Sequence, residues 1–456
     1  MDTIYNISLN KSSSTPLYLQ LAGAISAIIQ KGDIRPHSQL PSVRKLAKSL
    51  GVNNATVVAA YKFLESNKQL YSNVGRGTFA LGITNKKSEQ PDFDLKSAIN
   101  FAKETIDSDL FPIEAIKDAF SKVLDNERGS AFAYSETPGL LPLRTQISAD
   151  LLNYAIQAKA DNVWLIPDIT TGVDIVSEAL LSVSDTVLME APASYSIGGV
   201  FQEKGARIIT VPMQRDGLDL DKLEAVLKTS PVKFICASSY IQTPTGYSYS
   251  PEKKQKLIEL ACHYDTYIVE RDTHSEFILD NTIPKPIKAF DNKGRVIYIK
   301  SYGRSSLPGF SITALVASDC VLSLCNKEKA VVSGFIARAF ERFMAAGHYH
   351  KHIKEMAQIM KARFSLVECA IFEKLSSYVE YTPNLGGTGV WLKLIDESLT
   401  SQKLASVLLK EKVVIIPGAL YHMQNIDIPY FRLSFAAVDE AAIRLGIDKI
   451  AELLKK

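Results

Sequence analysis

Several things are scarce in this chain, and each scarcity excludes a class of protein. Its five cysteines (Cys236, Cys262, Cys320, Cys325, Cys369) are odd in number, scattered and without CxxC spacing. That argues against a disulfide framework or a zinc site and leaves them as reduced thiols. Long hydrophobic runs are missing: charge breaks each apolar stretch well before the ~18 residues that a membrane span needs. The opening MDTIYNISLNKSSS lacks the basic-then-apolar order of a signal peptide. A cytoplasmic protein with no membrane partner is therefore expected. Repeats and low-complexity tracts are absent, and the net charge is only +3. That charge is unevenly placed, with nine Lys/Arg against three Asp/Glu in residues 1–80 and a slightly acidic remainder. A basic module on an acidic body suggests a polyanion-binding head. At 456 residues the chain has room for roughly two or three domains and at least one large core.

What is present begins with three helical patterns. From Pro16 to Gln30, Leu17, Leu21, Ile25 and Ile28/Ile29 share one helical face, and Gly32 stops the helix. In LPSVRKLAKSL, Ser42 is placed as an N-cap before the stripe Val43, Leu46, Ala47 and Leu50. Gly51-Val52 makes a tight turn, and Asn53 caps a third helix through Ala55–Asn67. Two helices joined by a short turn containing Gly make a helix-turn-helix. After it LYSNVGRGTFAL alternates and bends at Gly75 and Gly77, which predicts a two-stranded wing with Arg76 at its tip. Periodicity alone also fits a small helical bundle without a nucleic-acid role.

The string LPSVRKLAKSLGV, then TV, AYKFLE and GRGTF, resembles the winged helix of the GntR superfamily. In such a domain the recognition helix enters the major groove and the wing approaches the minor groove. The resemblance implies that Arg44, Thr56 and Lys62 contact phosphates or bases of a double-stranded operator, with Arg76 and Gly77 on the wing. One departure stands out: Asn53-Asn54 replaces the family's Ser-Arg at the turn into the recognition helix. Arginine commonly reads guanine and asparagine reads adenine, so a shifted base preference is expected.

Residues 81–94, LGITNKKSEQPDFD, have no apolar period and form a linker of about 45 Å at full extension, long enough for each head to dock on a partner subunit. Beyond it, β-rich runs alternate with helical patterns: TVLME (186–190), RIITV (207–211), KFICA (233–237), TYIVE (266–270) and RVIYI (295–299). Such alternation predicts βαβ units around a mainly parallel sheet.

Landmarks in this body resemble fold-type I aminotransferases in the order found in the MocR subfamily of GntR regulators. They are DLFP (109–112); Tyr134 and Gly139 followed by Leu143-Arg144; ITTG (169–172); EAPASY (190–195); TPTG (243–246); VERD (269–272); VIYIKSYGRSSLPGF (296–310); GHYHKHIKEM (347–356); and FRLSFA (431–436). The expected fold is α/β: a winged helix over 1–80, a linker over 81–95 and an aminotransferase-like domain over 96–456. Its large part would span about 140–335 and its small part about 336–456 with the N-terminal segment. The resemblance also implies a homodimer.

Pyridoxal 5'-phosphate is the family's cofactor, and the expected pocket departs from its needs. Arg304 falls where the Schiff-base lysine is expected, and a guanidinium, charged up to about pH 12, is no nucleophile. Lys300 is the alternative amine, nearer the strand end. Phosphate donors are expected after the Thr-Gly turn, where Val173 and Asp174 stand; a carboxylate about 4 Å from a phosphate charge costs ~4 kcal/mol near a surface. Ser311 replaces a basic residue. Glu270-Arg271-Asp272-Thr273 stands for a Glu-Asp-Asp-Tyr segment, leaving Asp272 as the acid for the pyridine nitrogen and Thr273 for the tyrosine. Tyr195, from EAPASY, is the candidate stacking aromatic, and Thr243 falls in the same vestigial pocket. No covalent cofactor and no enzymatic activity are expected. Arg432 matches the arginine that grips a substrate carboxylate, which implies either a carboxylate or amino-acid-like effector held with Tyr134, or an inherited internal ion pair. His348, His350 and His352 have helical spacing but no completing Cys or carboxylate, so they are read as solvated rather than metal-binding.

Overall fold

The computed structural model describes residues 16–30, 38–66, 69–73 and 77–80 of the N-terminal part, with Ile4, Tyr5, Ile7, Leu9, Asn10 and Ile34. In the body it describes 97–134, 136–279, 285–384, 386–423 and 426–455. The chain forms two compact units, Met1–Asp94 and Leu95–Lys456. Residues 81–96, which include the expected linker, lie outside the described residues.

In the first unit α1 (Leu17–Gln30), α2 (Val43–Leu50) and α3 (Asn54–Ser66) precede β1 (Leu70–Asn73) and β2 (Gly77–Ala80), which pair antiparallel. The stripes meet as their spacing requires: Leu21, Ile25 and Ile29 pack with Leu46, Val57, Tyr61 and Leu64 in one core. Ser42 caps α2 by accepting from the Lys45 amide. Gly51 ends that helix at φ +62°, in the left-handed region where glycine is at ease.

The body follows the predicted alternation. Its first elements are β3 (Ile99–Asn100), α4 (Ile113–Glu127), α5 (Leu141–Leu151), β4 (Val163–Ile166), α6 (Ile169–Leu180), β5 (Thr186–Ala191), α7 (Tyr195–Glu203), β6 (Arg207–Gln214) and β7 (Gly217–Leu218). Then come α8 (Leu220–Thr229), β8 (Val232–Ala237), α9 (Pro251–His263), β9 (Tyr267–Asp272), β10 (Val296–Tyr302), β11 (Ile312–Val316), α10 (Asp319–Leu322), α11 (Gly334–Ala345) and α12 (His348–Lys374). The chain closes with β12 (Val379–Tyr381), β13 (Gly389–Leu394), α13 (Ser401–Lys410), β14 (Val413–Val414), β15 (Ile416–Pro417), β16 (Tyr430–Ser434) and α14 (Glu440–Leu454).

The main sheet has the order β4-β11-β10-β9-β8-β5-β6-β7. Pairing is parallel from β10 through β9, β8 and β5 to β6, and antiparallel at β11 and β7. The inner strands are buried along almost all of their length, as a sheet covered on both faces requires. A smaller sheet, β12-β13-β16-β15, belongs to a second core, which α12 and α14 cover. The segment around Ile99 pairs with β14 and sends Phe101 and Ile106 into that same core.

Candidate functional site

In the first unit the outward face of α3 is the surface that helix-turn-helix chemistry would use. Asn53 is occupied as the cap: its Oδ1 accepts from the Thr56 amide at 2.8 Å and from the Thr56 hydroxyl at 2.9 Å. That turns both residues toward the helix start. Asn54, Ala55, Val58 and Lys62 point outward, as does Arg44 on α2. Gly77 opens β2 at φ +111°, whereas Arg76 lies outside the described residues.

In the body, consecutive residues of β9 and β10 face opposite sides of the sheet. Register pairs Arg271 with Ile299 and Asp272 with Lys300. Ile299 lies under α6, where a Cβ on Gly172 would come within 3.1 Å of it and 2.6 Å of Ile166. Arg271 therefore lies on the α6 face and Lys300 on the other.

On the far face Lys300 is fully buried, donates to the Ser275 hydroxyl at 2.8 Å and lies 3.5 Å from Asp272. Burial alone would depress its pKa, but Asp272, Tyr154, Glu276 and Asp150 outweigh it and raise the ammonium above its usual range. Asp272 accepts from the Ser275 amide and hydroxyl and from the Tyr298 hydroxyl. The residue expected to face a pyridine nitrogen is thus taken up in an internal network.

On the α6 face Arg271 reaches Glu190, with Nη2 3.7 Å from Oε2, and both are buried. Glu190 also accepts from the Ser238 amide at 2.7 Å and the Tyr249 hydroxyl at 2.8 Å. Burial raises its pKa, and Arg271 opposes the rise. Arg271 Nε is buried without a partner.

The expected phosphate turn is a continuous helix. Asp168 caps α6 through the Thr171 amide at 2.7 Å, and the Gly172 amide donates to the Asp168 carbonyl. Thr170, Thr171 and Gly172 are helical, so the amides of Val173 and Asp174 lie inside the helix rather than at its N-terminus. This corrects the placement drawn from sequence. Val173 is buried in the core, and Asp174 turns to Lys204 at 2.7 Å and Lys329 at 3.3 Å. The sequence carried a signal for this boundary, since Asp168 immediately precedes an apolar-periodic run.

Of the vestigial set, Arg304 and Ser311 line a cavity of about 250 Å³ together with Glu104, Asp168, Ser301 and Ser305. Arg304 is exposed, and the Ser311 hydroxyl donates to the Pro167 carbonyl. Beside the cavity, Arg432 Nη1 lies 2.5 Å from Glu104 Oε1, and Nη2 donates to Thr388 at 3.3 Å. Glu104 is depressed because Arg432, His274 and Arg304 outweigh the effect of its burial. His274 is buried with Nδ1 unpartnered, and burial pushes it down to about 4. Of the two readings of Arg432, the internal ion pair is the one formed. Tyr134 is fully exposed, Tyr195 half-exposed at the start of α7, and Thr243 and Thr273 half-buried.

Of the three histidines, His350 is exposed, His348 half-buried and His352 buried, so solvation accounts for the first but not the last. His350 lies 2.8 Å from Asp150, His352 is buried against the Ser306 carbonyl, and His348 packs on Phe343. Among the described residues no group of three or more metal-ligating side chains converges, and no helix is long and apolar enough to cross a membrane. Sequence reasoning missed Glu104, Asp150, Glu190 and Glu276. An arginine or lysine inside a fully buried strand was the available sign that such partners must exist.

Comparison with known proteins agrees with this architecture. Residues 97–450 match the family Aminotransferase class I and II, and residues 17–80 match the bacterial regulatory proteins of the gntR family. The chain belongs to the class I and II aminotransferase family and carries a GntR winged helix, the arrangement of MocR-like regulators. It is 25% identical to the uncharacterized HTH-type transcriptional regulator YdfD of Bacillus subtilis, over 98% of both chains. It is 26% identical to aromatic-amino-acid aminotransferase 1 of Thermococcus litoralis, over 76% of this chain and 85% of that one. The multiple substrate aminotransferase of Thermococcus profundus superposes with a TM-score of 0.76 at 25% identity, covering 82% of this chain and 96% of its own. A kynurenine aminotransferase of Pyrococcus horikoshii, solved with PMP, gives 0.74 at 26% identity over 79% and 92%. The protein is a GntR-type DNA-binding regulator fused to an aminotransferase-like domain.

Proposed function

We propose that the body is catalytically inactive and that the protein regulates transcription from a DNA operator as a cytoplasmic homodimer. The observation that carries this reading is the start of α6: the Asp168 carboxylate accepts from the Thr171 amide, so a negative charge already occupies the helix N-terminus where a cofactor phosphate would bind. The neighbouring residues point the same way. Arg271 presents a cation, already paired with Glu190, on the face where a pyridine nitrogen would need an acid. Asp272 faces the other side and is fully partnered. These residues do not fit pyridoxal phosphate. Lys300 does not substitute for the lysine expected at 304, because an ammonium stabilised by surrounding acids is no nucleophile.

In this reading the cavity beside Arg304 is the effector site, suited to a small carboxylate or amino-acid-like ligand. Arg304 offers the guanidinium that Arg432 has already committed to Glu104. Tyr134, fully exposed on the body, would be covered in a two-fold dimer. Two heads would then address two half-sites, and ligand binding would shift their spacing.

The test is to titrate the purified protein with pyridoxal phosphate, reduce with borohydride and map adducts by mass spectrometry. No visible band and no adduct are expected. A specific adduct on Lys300 would restore covalent chemistry and overturn the inactive reading.

A further inference from the structure

The exposed face of α3 has an unusual composition for a surface meant to meet DNA. Val57, Ala60, Tyr61 and Leu64 turn into the core of the first unit, which leaves Asn54, Ala55, Val58 and Lys62 on the outward side. These four follow one another at helical spacings that keep them on a single stripe. Val58 stays 38% exposed, a β-branched side chain that lowers helix propensity without gaining a buried contact. Asn53 and Thr56, the other polar residues at this end, are tied together in the cap. The helix NATVVAAYKFLES contains no arginine, and Lys62 lies two turns beyond its start.

We infer that α3 reads A·T base pairs, with Asn54 on adenine and the methyl groups of Ala55 and Val58 on thymine. The inference rests on the DNA-binding reading and adds which bases are recognised. In a helix-turn-helix the N-terminal residues of the recognition helix meet the base edges, and here those residues are an amide, a methyl and an isopropyl group. A side-chain amide pairs bidentately with adenine N6 and N7, and apolar side chains pack on the thymine C5-methyl. Guanine, by contrast, is read through O6 and N7 by Arg or Lys, and no such side chain stands on the first two turns of α3. Lys62, further along, and Arg44, Lys45 and Lys48 on α2 supply charge for phosphates, which positions the helix without specifying sequence.

The experiment uses the full-length protein in two stages. Selection from a random duplex pool identifies the preferred site, and that site is then resynthesised with deoxyuridine for thymine, which removes only the methyl groups. Selected half-sites centred on A·T pairs are expected, with affinity falling about fourfold for each thymine methyl lost. Val58→Ala should fold normally, bind more weakly and respond less to the uracil exchange. Asn54→Arg should move the preference at one position from adenine to guanine. A guanine-centred site indifferent to uracil, and unaltered by Asn54→Arg, would overturn the inference while leaving DNA binding intact. Failure to select any sequence would overturn the DNA-binding reading and this inference with it.

Discussion

The outward face of α3 and the interior of the body have resolved the same problem in opposite ways. On α3 the amide of Asn54, the methyls of Ala55 and Val58 and the ammonium of Lys62 face solvent. In the body, charged groups have found one another: Arg271 with Glu190, Arg432 with Glu104, Lys300 with Asp272, and Asp168 with its own helix. A surface awaiting a partner leaves its groups hydrated at little cost. Charges inside a buried core must satisfy one another internally, because an unpaired buried charge costs several kcal/mol.

That contrast can be broken most forcefully inside the body. Glu190→Ala would strand Arg271 and orphan the Tyr249 hydroxyl and Ser238 amide, so a loss of about 3–5 kcal/mol is expected in urea unfolding followed by a probe in the body. Operator binding by the first unit should outlast that loss at low denaturant. A change below about 1 kcal/mol would mean that the pair is not formed. In the first unit, Leu46→Ala removes a fully buried side chain and should cost about 2–5 kcal/mol, abolishing DNA binding while body unfolding is unchanged.

A pH titration sharpens the comparison further. His274 is pushed down to about 4 by burial, with Arg432 and Arg304 adding to the shift and Glu104 and Asp272 opposing it. The folded state therefore binds fewer protons than the unfolded one between about pH 6.5 and pH 4. Its contribution is present above the unfolded pKa and is lost as pH falls through that window, about 3 kcal/mol in all. A His274→Phe variant should show a shallower decline over the same interval in parallel denaturation curves; identical slopes would refute the assignment. The smallest effect is expected at the cap: Asn53→Ala should destabilise the first unit by about 1 kcal/mol without altering which bases are preferred.

Much of the architecture was legible because it depends on local pattern. The α1 and α2 stripes, the Ser42 and Asn53 caps and the five predicted strands are short-range features, and each appears in the structure, with strand starts within a residue and ends up to three residues further on. Arg304 and Ser311, seven residues apart, line one cavity. Partnerships were harder to read. Glu190 and Arg271 come from different strands, and Glu104 and Arg432 from opposite ends of the body, so no periodicity links them. Asp174 was misplaced for another reason: α6 begins at Ile169, before the Thr-Gly pair, so Asp174 stands in its second turn and faces Lys204 and Lys329. The deciding residue, Asp168, lay just outside the motif.

The close seating of α6 also bears on reversibility. Gly172 leaves no space for even one added carbon between the helix and Ile166 or Ile299, so the first turns of the helix that Asp168 caps are pressed onto the sheet. On the proposed reading, a lysine placed at 304 would supply an amine while Asp168 still held the helix start and Arg271 still faced Glu190. On the proposed inactive reading these contacts work as a ratchet: a reversion at one position leaves Asp168 on its helix and Arg271 on Glu190 as they are.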